Sequence, residues 1–134
     1  MINNKKTFYE QEIERLYQEN PIPAQKYILI RQSKAFMEQH HSENIELNDL
    51  AKAAFMSRFH YVRVFKQLYG VTPRSYLRDL RINKAKLLLQ QGLSITETCY
   101  SVGYESLATF SNTFRKCTGQ SPKHYQDFHK EKNI

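Results

Sequence analysis

Two stretches of the chain combine cationic, aromatic and small side chains on what spacing predicts to be one face of a helix. In both stretches, apolar or small residues recur three or four positions apart and predict an inward face. The inward residues are Tyr61, Val64, Phe65 and Leu68 in the first stretch, and Phe110, Thr113, Phe114 and Cys117 in the second. The outward residues are then Arg58, Phe59, His60, Val62, Arg63 and Lys66, and Leu107, Ala108, Ser111, Asn112, Arg115 and Lys116.

The outward side chains of the first stretch have the chemistry needed to contact DNA bases. Arginine can donate two parallel hydrogen bonds to guanine O6 and N7, so Arg63 is the first candidate for a base contact. Phe59 and Val62 can contact thymine methyl groups, and His60 is a further candidate. The alternatives are a core position for Phe59, a solvated Arg63, and a packed or surface His60. Lys66 and Arg58 are expected to neutralise phosphates.

The second stretch offers weaker contacts to base edges than the first. It therefore predicts an interface that is more tolerant of A·T base pairs. Asn112 can form two hydrogen bonds with an adenine edge, and Leu107 or Ala108 can contact a thymine methyl group. Ser111 lies on the same face, and Arg115 and Lys116 are expected near the DNA backbone. Binding dominated by the backbone, without base specificity, is the alternative for this stretch.

Helix N-termini provide further candidates for phosphate contacts. Exposed backbone N–H groups are expected at Ser57, Ser106, Pro73 and Pro122, because helices are predicted to begin there. Ser106 is itself a candidate phosphate contact, and Arg74 and Lys123 flank two of these starts. Ordinary helix starts without a ligand are the alternative.

The elements that position these residues are arranged as a repeat. The segment FKQLYGVTPRSY at 65–76 recurs without a gap as FRKCTGQSPKHY at 114–125, a shift of 49 residues. Each copy is preceded by a predicted short helix and turn, over 49–55 and 95–102, with Asn48 as the candidate N-cap of the first. Two short helices joined by a tight turn are typical of a helix-turn-helix.

One long helix, predicted over 73–91, lies between the copies. Pro73 suits its first turn and Gly92 follows its end. Its polar face is basic, with Arg74, Arg78, Arg81, Lys84 and Lys86. The sequence therefore predicts an all-α fold of four parts: an N-terminal helical arm at 1–23, a first helix-turn-helix subdomain at 24–72, the linker helix at 73–91, and a second subdomain with a tail at 92–134.

The charge is concentrated in the repeated half of the chain. Residues 1–50 carry a net charge of −2, whereas residues 51–134 carry +9. Such a basic surface suits a polyanion, and DNA or RNA is the commonest one. A basic membrane-binding surface is the competing interpretation, but no segment is apolar over 18 residues.

Long stretches of the sequence resemble one protein family. ITETCYSVGYESLATFSNTFRKCTGQSPKHY resembles the C-terminal signature of AraC/XylS-type transcription regulators, and LNDLAKAAFMSRFHYVRVFKQLYGVTPRSYLRDLRINKA resembles their first helix-turn-helix and linker helix. The resemblance covers about residues 31–128. It implies two recognition helices that enter successive major grooves, and a short, stand-alone member without an effector domain. Phe55 stands where many members have Gly, Thr98 and Cys99 where Ile and Ala are usual, and Asn112 where a basic residue is common.

The sequence thus predicts a sequence-specific transcription regulator rather than an enzyme. We expect an activator that binds double-stranded DNA as a monomer, contacts RNA polymerase, needs no cofactor or metal, and lies in the cytoplasm without a membrane anchor. No paired carboxylates, nucleophile cluster or phosphate-binding Gly loop indicates catalysis. Cys99 and Cys117 are expected to be free thiols in the core. The competing hypothesis is a protein-interaction module, or an anti-regulator, that has lost specific DNA recognition.

Overall fold

The fold is formed by α-helices throughout the described part of the chain. The computed structural model describes residues 7, 8, 10, 11, 15 and 23–132. Within 23–132 the helices are α1 (Ala24–His40), α2 (Leu47–Ala53), α3 (Arg58–Tyr69), α4 (Pro73–Gln90), α5 (Ile95–Ser101), α6 (Leu107–Thr118) and α7 (Pro122–Lys132), and no strand is present there. The predicted all-α class is confirmed. The predicted arm, residues 1–23, lies outside the described residues except at a few positions.

Hydroxyl side chains cap most of the helices that follow a turn. The side chains of Ser57, Thr72, Ser94 and Ser106 each accept a hydrogen bond from the backbone N–H three residues later. Such caps satisfy N–H groups that have no partner inside the helix. These residues therefore decide where α3, α4, α5 and α6 begin.

The N-cap that we predicted at Asn48 is wrong. Helix α2 begins two residues earlier than predicted, at Leu47, after Glu46 in an extended conformation, and no side chain caps it. Ile45 and Leu47 pack against the first hydrophobic cluster. Burial of these apolar side chains, rather than a capping hydrogen bond, accounts for the position of the helix start.

The two copies of the repeat form the same local structure. Gly70 and Gly119 end α3 and α6 with φ of 82° and 81°, a left-handed conformation that glycine adopts without steric cost. Pro73 and Pro122 then begin the following helices. In each copy the buried phenylalanine packs against the tyrosine of the next helix, with ring centres 5.9 Å apart for Phe65 and Tyr76. The second copy, Phe114 and Tyr125, has a distance of 5.3 Å.

Helix α4 joins two separate hydrophobic clusters. The first cluster is formed by residues of α1 to α3, and Tyr76, Leu77 and Leu80 of α4 pack against it. The second cluster contains Ile82 and Leu89 of α4 together with residues of α5, α6 and α7. The beginning of α4 thus belongs to one cluster and its end to the other, so a single helix connects both helix-turn-helix units.

Two residues that we expected in the core are exposed. Leu68 and Cys117, which occupy equivalent positions of the repeat, lie at the surface. Both follow the apolar spacing of their helices, but both lie in the last turn, next to the terminating glycine. Helical spacing gives the direction of a side chain around the axis and does not say how far along the axis the core extends.

Candidate nucleic-acid interface

Helix α3 presents the first set of predicted contact residues. Its cap at Ser57 and the burial of Tyr61, Val64 and Phe65 orient the helix with one face on the first cluster. The candidates lie on the remaining surface. Arg58, Phe59 and Lys66 are exposed, and His60, Val62 and Arg63 are half-buried.

Two of the predicted base contacts lie directly against each other. The Arg63 guanidinium carbon is 5.7 Å from the centre of the Phe59 ring, and the two residues are one helical turn apart. A guanidinium over an aromatic face is attracted by the negative face of the ring. Phe59 is 48% exposed, so the predicted alternative, a core position for this ring, is wrong.

The imidazole of His60 is held towards its neutral form. Burial, together with the positive charge of Lys26, lowers the pKa of His60 below its ordinary value. A neutral imidazole has one N–H donor and one nitrogen acceptor. The Nε2 atom of this ring is buried, so a base edge could be reached only through the other ring nitrogen.

Helix α6 presents the second set in the corresponding place. Phe110 and Phe114 are fully buried, so the opposite face of the helix is at the surface. On that surface Leu107, Ala108, Asn112, Arg115 and Lys116 are exposed, and Ser111 is half-buried. The mixture of an amide, small side chains and two terminal cations is the one that the sequence predicts for a softer contact.

Two of the three predicted phosphate contacts around the first unit lie together. Arg58 and Arg74 line one cleft of about 190 Å³, with Asn48 in its wall. Arg58 begins α3 and Arg74 lies in the first turn of α4, so the cleft combines two cations with two helix N-termini. Both features favour an anion, whereas the carboxylate of Glu46, which also lines the cleft, opposes one.

The corresponding contacts of the second unit have other partners. The Ser106 hydroxyl accepts a hydrogen bond from the Thr109 N–H at 3.3 Å, which leaves its proton for another acceptor. Lys123 Nζ lies 3.3 Å from Asp127 Oδ1, and both side chains are exposed. Because an exposed ion pair is weak, Asp127 only partly offsets the charge of Lys123.

Arg81 is the residue whose role the sequence analysis missed. We expected it on the basic surface of α4 with Arg78, but it is half-buried, and its guanidinium donates hydrogen bonds to the carbonyl oxygens of His41 and Glu43. These acceptors lie about 40 positions earlier in the chain. No periodicity within α4 could indicate them.

Two other kinds of site have no counterpart in the described residues. Among them, no helix is both long and apolar enough to cross a membrane. Over the same positions, no cluster of three or more His, Cys, Asp or Glu side chains is arranged to hold a metal ion.

Residues 50–127 match the family described as a helix-turn-helix domain. The HTH-type transcriptional regulator YdeC of Bacillus subtilis is 37% identical over 98 residues, which are 72% of this chain and 34% of YdeC. The chain spans less than half the length of the curated relatives it matches first.

Solved structures share the arrangement of helices. The DNA-binding domain of the global transcriptional factor AdpA, in complex with a target DNA, matches with a TM-score of 0.73 and 28% identity. The match covers 77% of this chain and 94% of that domain. A regulator of Chromobacterium violaceum with an AraC-type DNA-binding domain matches with a TM-score of 0.67 and 30% identity, over 80% of this chain and 96% of that one.

Proposed function

The chain belongs to the AraC-type helix-turn-helix family of DNA-binding transcription regulators, and from this premise we propose that it binds a specific DNA sequence through α3 and α6. These two recognition helices enter successive major grooves on one face of the DNA. The observation that carries the proposal is the repeat: α3 and α6 both have a serine-capped start, buried aromatic residues at equivalent positions and a left-handed glycine end. One chain thus offers two equivalent reading elements.

The length of α4 supports binding of the two recognition helices in two successive major grooves. A helix of 18 residues is about 27 Å long at 1.5 Å per residue. Equivalent positions in successive major grooves are about 34 Å apart. The thickness of the flanking helices covers most of the difference, and a slight bend of the DNA covers the rest.

The two recognition helices have different tasks. On α3, Arg63 donates to a guanine, Phe59 and Val62 contact thymine methyl groups, and His60 contacts a base edge. On α6, Asn112 and Ser111 contact polar base edges, and Leu107 and Ala108 contact methyl groups. The phosphate contacts are Arg58, Lys66, Arg74, Ser106, Arg115, Lys116 and Lys123.

We further propose that the protein binds as a monomer and activates transcription by contacting RNA polymerase, in the cytoplasm, where it reaches the DNA. One chain with two recognition helices can bind an asymmetric DNA site by itself, so no second subunit is needed. Residues 1–50 carry a net charge of −2, which suits a protein partner better than DNA. Sedimentation that shows a dimer at micromolar concentration without DNA would contradict the monomer.

Selection from random DNA, followed by footprinting on the enriched sequence, tests the proposed function. We expect two protected patches one helical turn apart on the same face of the DNA. We also expect affinity to fall steeply with salt, because each neutralised phosphate releases counterions. No enrichment together with a flat salt response would favour the alternative, a protein-interaction module.

A further inference from the structure

The contact of Arg81 with the first unit is made through backbone oxygens. Arg81 Nε donates to the His41 carbonyl oxygen at 2.7 Å, and Nη2 donates to the Glu43 carbonyl oxygen at 3.0 Å. Both acceptors belong to the turn between α1 and α2. Hydrogen bonds from a charged donor are stronger than those between neutral groups, so this turn is held firmly against α4.

The same guanidinium also contacts the second unit. Its carbon lies 5.6 Å from the centre of the Tyr104 ring. Tyr104 packs in turn against Phe110 of α6, with ring centres 5.5 Å apart. Arg81 is therefore the middle of a continuous path that runs from the turn after α1 to the recognition helix α6.

The backbones of the two units also lie close together beside this path, at Gly103 and His41. A Cβ atom on Gly103 would lie 2.9 Å from the His41 carbonyl oxygen and 3.0 Å from Arg81 Nε. Gly103 also has a φ of 104°, a backbone conformation that residues with a side chain rarely adopt. The equivalent position of the first unit holds Phe55, whose side chain is 83% exposed. The turn of the first unit thus leaves room for a side chain, whereas at 103 the close approach of the two units adds to a backbone conformation that already favours glycine.

We propose that Arg81 and Gly103 are positioning residues that set the orientation of α6 relative to α3, and thereby the spacing between half-sites that the protein accepts. This inference rests on the proposed function of α3 and α6. Helix α4 sets the separation of the units along its axis. The contact at Arg81 lies beside that axis and opposes rotation of one unit against the other.

A distance measurement without DNA tests the first part. Spin labels on native Cys117 and on an introduced Gln67→Cys report the separation of α6 and α3, because both positions are exposed. We expect Arg81→Ala to broaden the distance distribution. Arg78→Ala is the matched control, because Arg78 is exposed on the same helix and pairs with its neighbour Asp79. An unchanged distribution for Arg81→Ala overturns the inference.

A spacing series tests the second part. The selected DNA site is prepared with one base pair inserted or removed between the two half-sites. For the unchanged protein and for Arg78→Ala, we expect a sharp loss of affinity. For Arg81→Ala, we expect the ratio between the native and altered spacings to fall by about tenfold, which corresponds to about 1.4 kcal/mol. Arg81→Lys should restore only part of this ratio, because lysine cannot donate in the planar fork of arginine.

The outcomes separate the inference from the proposed function. If footprinting shows two protected patches but the unchanged protein and Arg81→Ala have equal spacing profiles, the inference is overturned and the proposed function stands. A single patch, or no dependence on spacing in the unchanged protein, overturns both. If Arg81→Ala does not fold, Gly103→Ala decides, because it keeps the guanidinium but crowds the His41 carbonyl. If Gly103→Ala shifts the maximum of the spin-label distance distribution and changes the preferred spacing between half-sites, the inference is supported. If neither value changes, the inference is overturned.

Discussion

The Arg63 guanidinium lies over the Phe59 ring on the outer surface of α3, with 5.7 Å between the guanidinium carbon and the ring centre. Both side chains are candidates for contacts with adjacent bases. The ring restricts the conformations that the long arginine side chain can adopt before DNA arrives. Less side-chain entropy is then lost on binding. We infer that the pair acts as one preorganised unit.

Replacing Arg63 should relax specificity, whereas replacing Lys66 should weaken all binding. We expect Arg63→Ala to cost about 1–3 kcal/mol at one base position, because a bidentate guanine contact is lost. We expect Lys66→Ala to weaken binding equally on all sequences and to reduce the salt slope by about one. Affinities over a set of single-base substitutions check both expectations. If the two variants gave the same base profile, the assigned division between base and phosphate contacts would be wrong.

The repeat explains why so much of this fold could be predicted. Gly70 and Gly119, with Pro73 and Pro122 after them, mark two helix ends and two helix starts by local chemistry alone. Buried Phe65 and Phe114 follow from spacing within one helix. Leu68 and Cys117 could not be placed in this way, because the depth of the core depends on the neighbouring helices. Arg81 could not be placed either, since its partners, the carbonyls of His41 and Glu43, come from a distant turn.

The two thiols should differ strongly in reactivity. Cys99 is buried, and burial raises the pKa of its thiol, whereas Cys117 is exposed. The thiolate is the reactive form, so we expect a water-soluble thiol reagent to modify Cys117 of the native protein at once and Cys99 only after denaturation. Mass spectrometry of digested protein assigns each label.

Cys117→Ser is the control for this experiment. In that variant, native protein should take up almost no label, and denaturation should release one reactive thiol. Rapid labelling of the native Cys117→Ser variant would show that Cys99 is accessible, contrary to its position in the second cluster.

Stability should fall in alkaline solution, and Tyr61 should account for part of this fall. Burial raises the pKa of this phenol, whose hydroxyl donates to Ser33 Oγ at 2.8 Å. The folded pKa is above that of the unfolded chain, which is about 10. The stabilising contribution is therefore complete below about pH 10, and it is lost as the pH rises through the folded value.

Tyr61→Phe isolates this contribution. At neutral pH we expect the variant to be less stable by about 0.5–1.5 kcal/mol, because it lacks one hydrogen bond. Above pH 10 its stability should fall less steeply than that of the unchanged protein. Urea unfolding at a series of pH values measures both effects, with Tyr100→Phe as a control at an exposed phenol. Parallel curves for Tyr61→Phe and the unchanged protein would contradict the assignment.

Phe55 is held in a backbone conformation that suits glycine. Its φ is 57°, and its side chain is 83% exposed, so the ring gains little from packing. A left-handed conformation costs a residue with a Cβ atom about 1–2 kcal/mol. Glycine removes this strain but loses about 0.5–1 kcal/mol through the greater freedom of the unfolded chain. We therefore expect Phe55→Gly to stabilise the protein by up to about 1.5 kcal/mol.

Phe55→Ala separates the backbone effect from loss of the ring. Alanine keeps the Cβ atom and its strain, so this variant should show none of the gain in the urea midpoint that Phe55→Gly shows. Equal stability of the two variants would mean that the turn is not strained at position 55. The equivalent turn of the second unit also favours glycine, and there a Cβ atom at Gly103 would in addition meet the His41 carbonyl oxygen at 2.9 Å. At position 55 glycine would only relieve strain, whereas at position 103 it relieves strain and also makes room for the neighbouring unit.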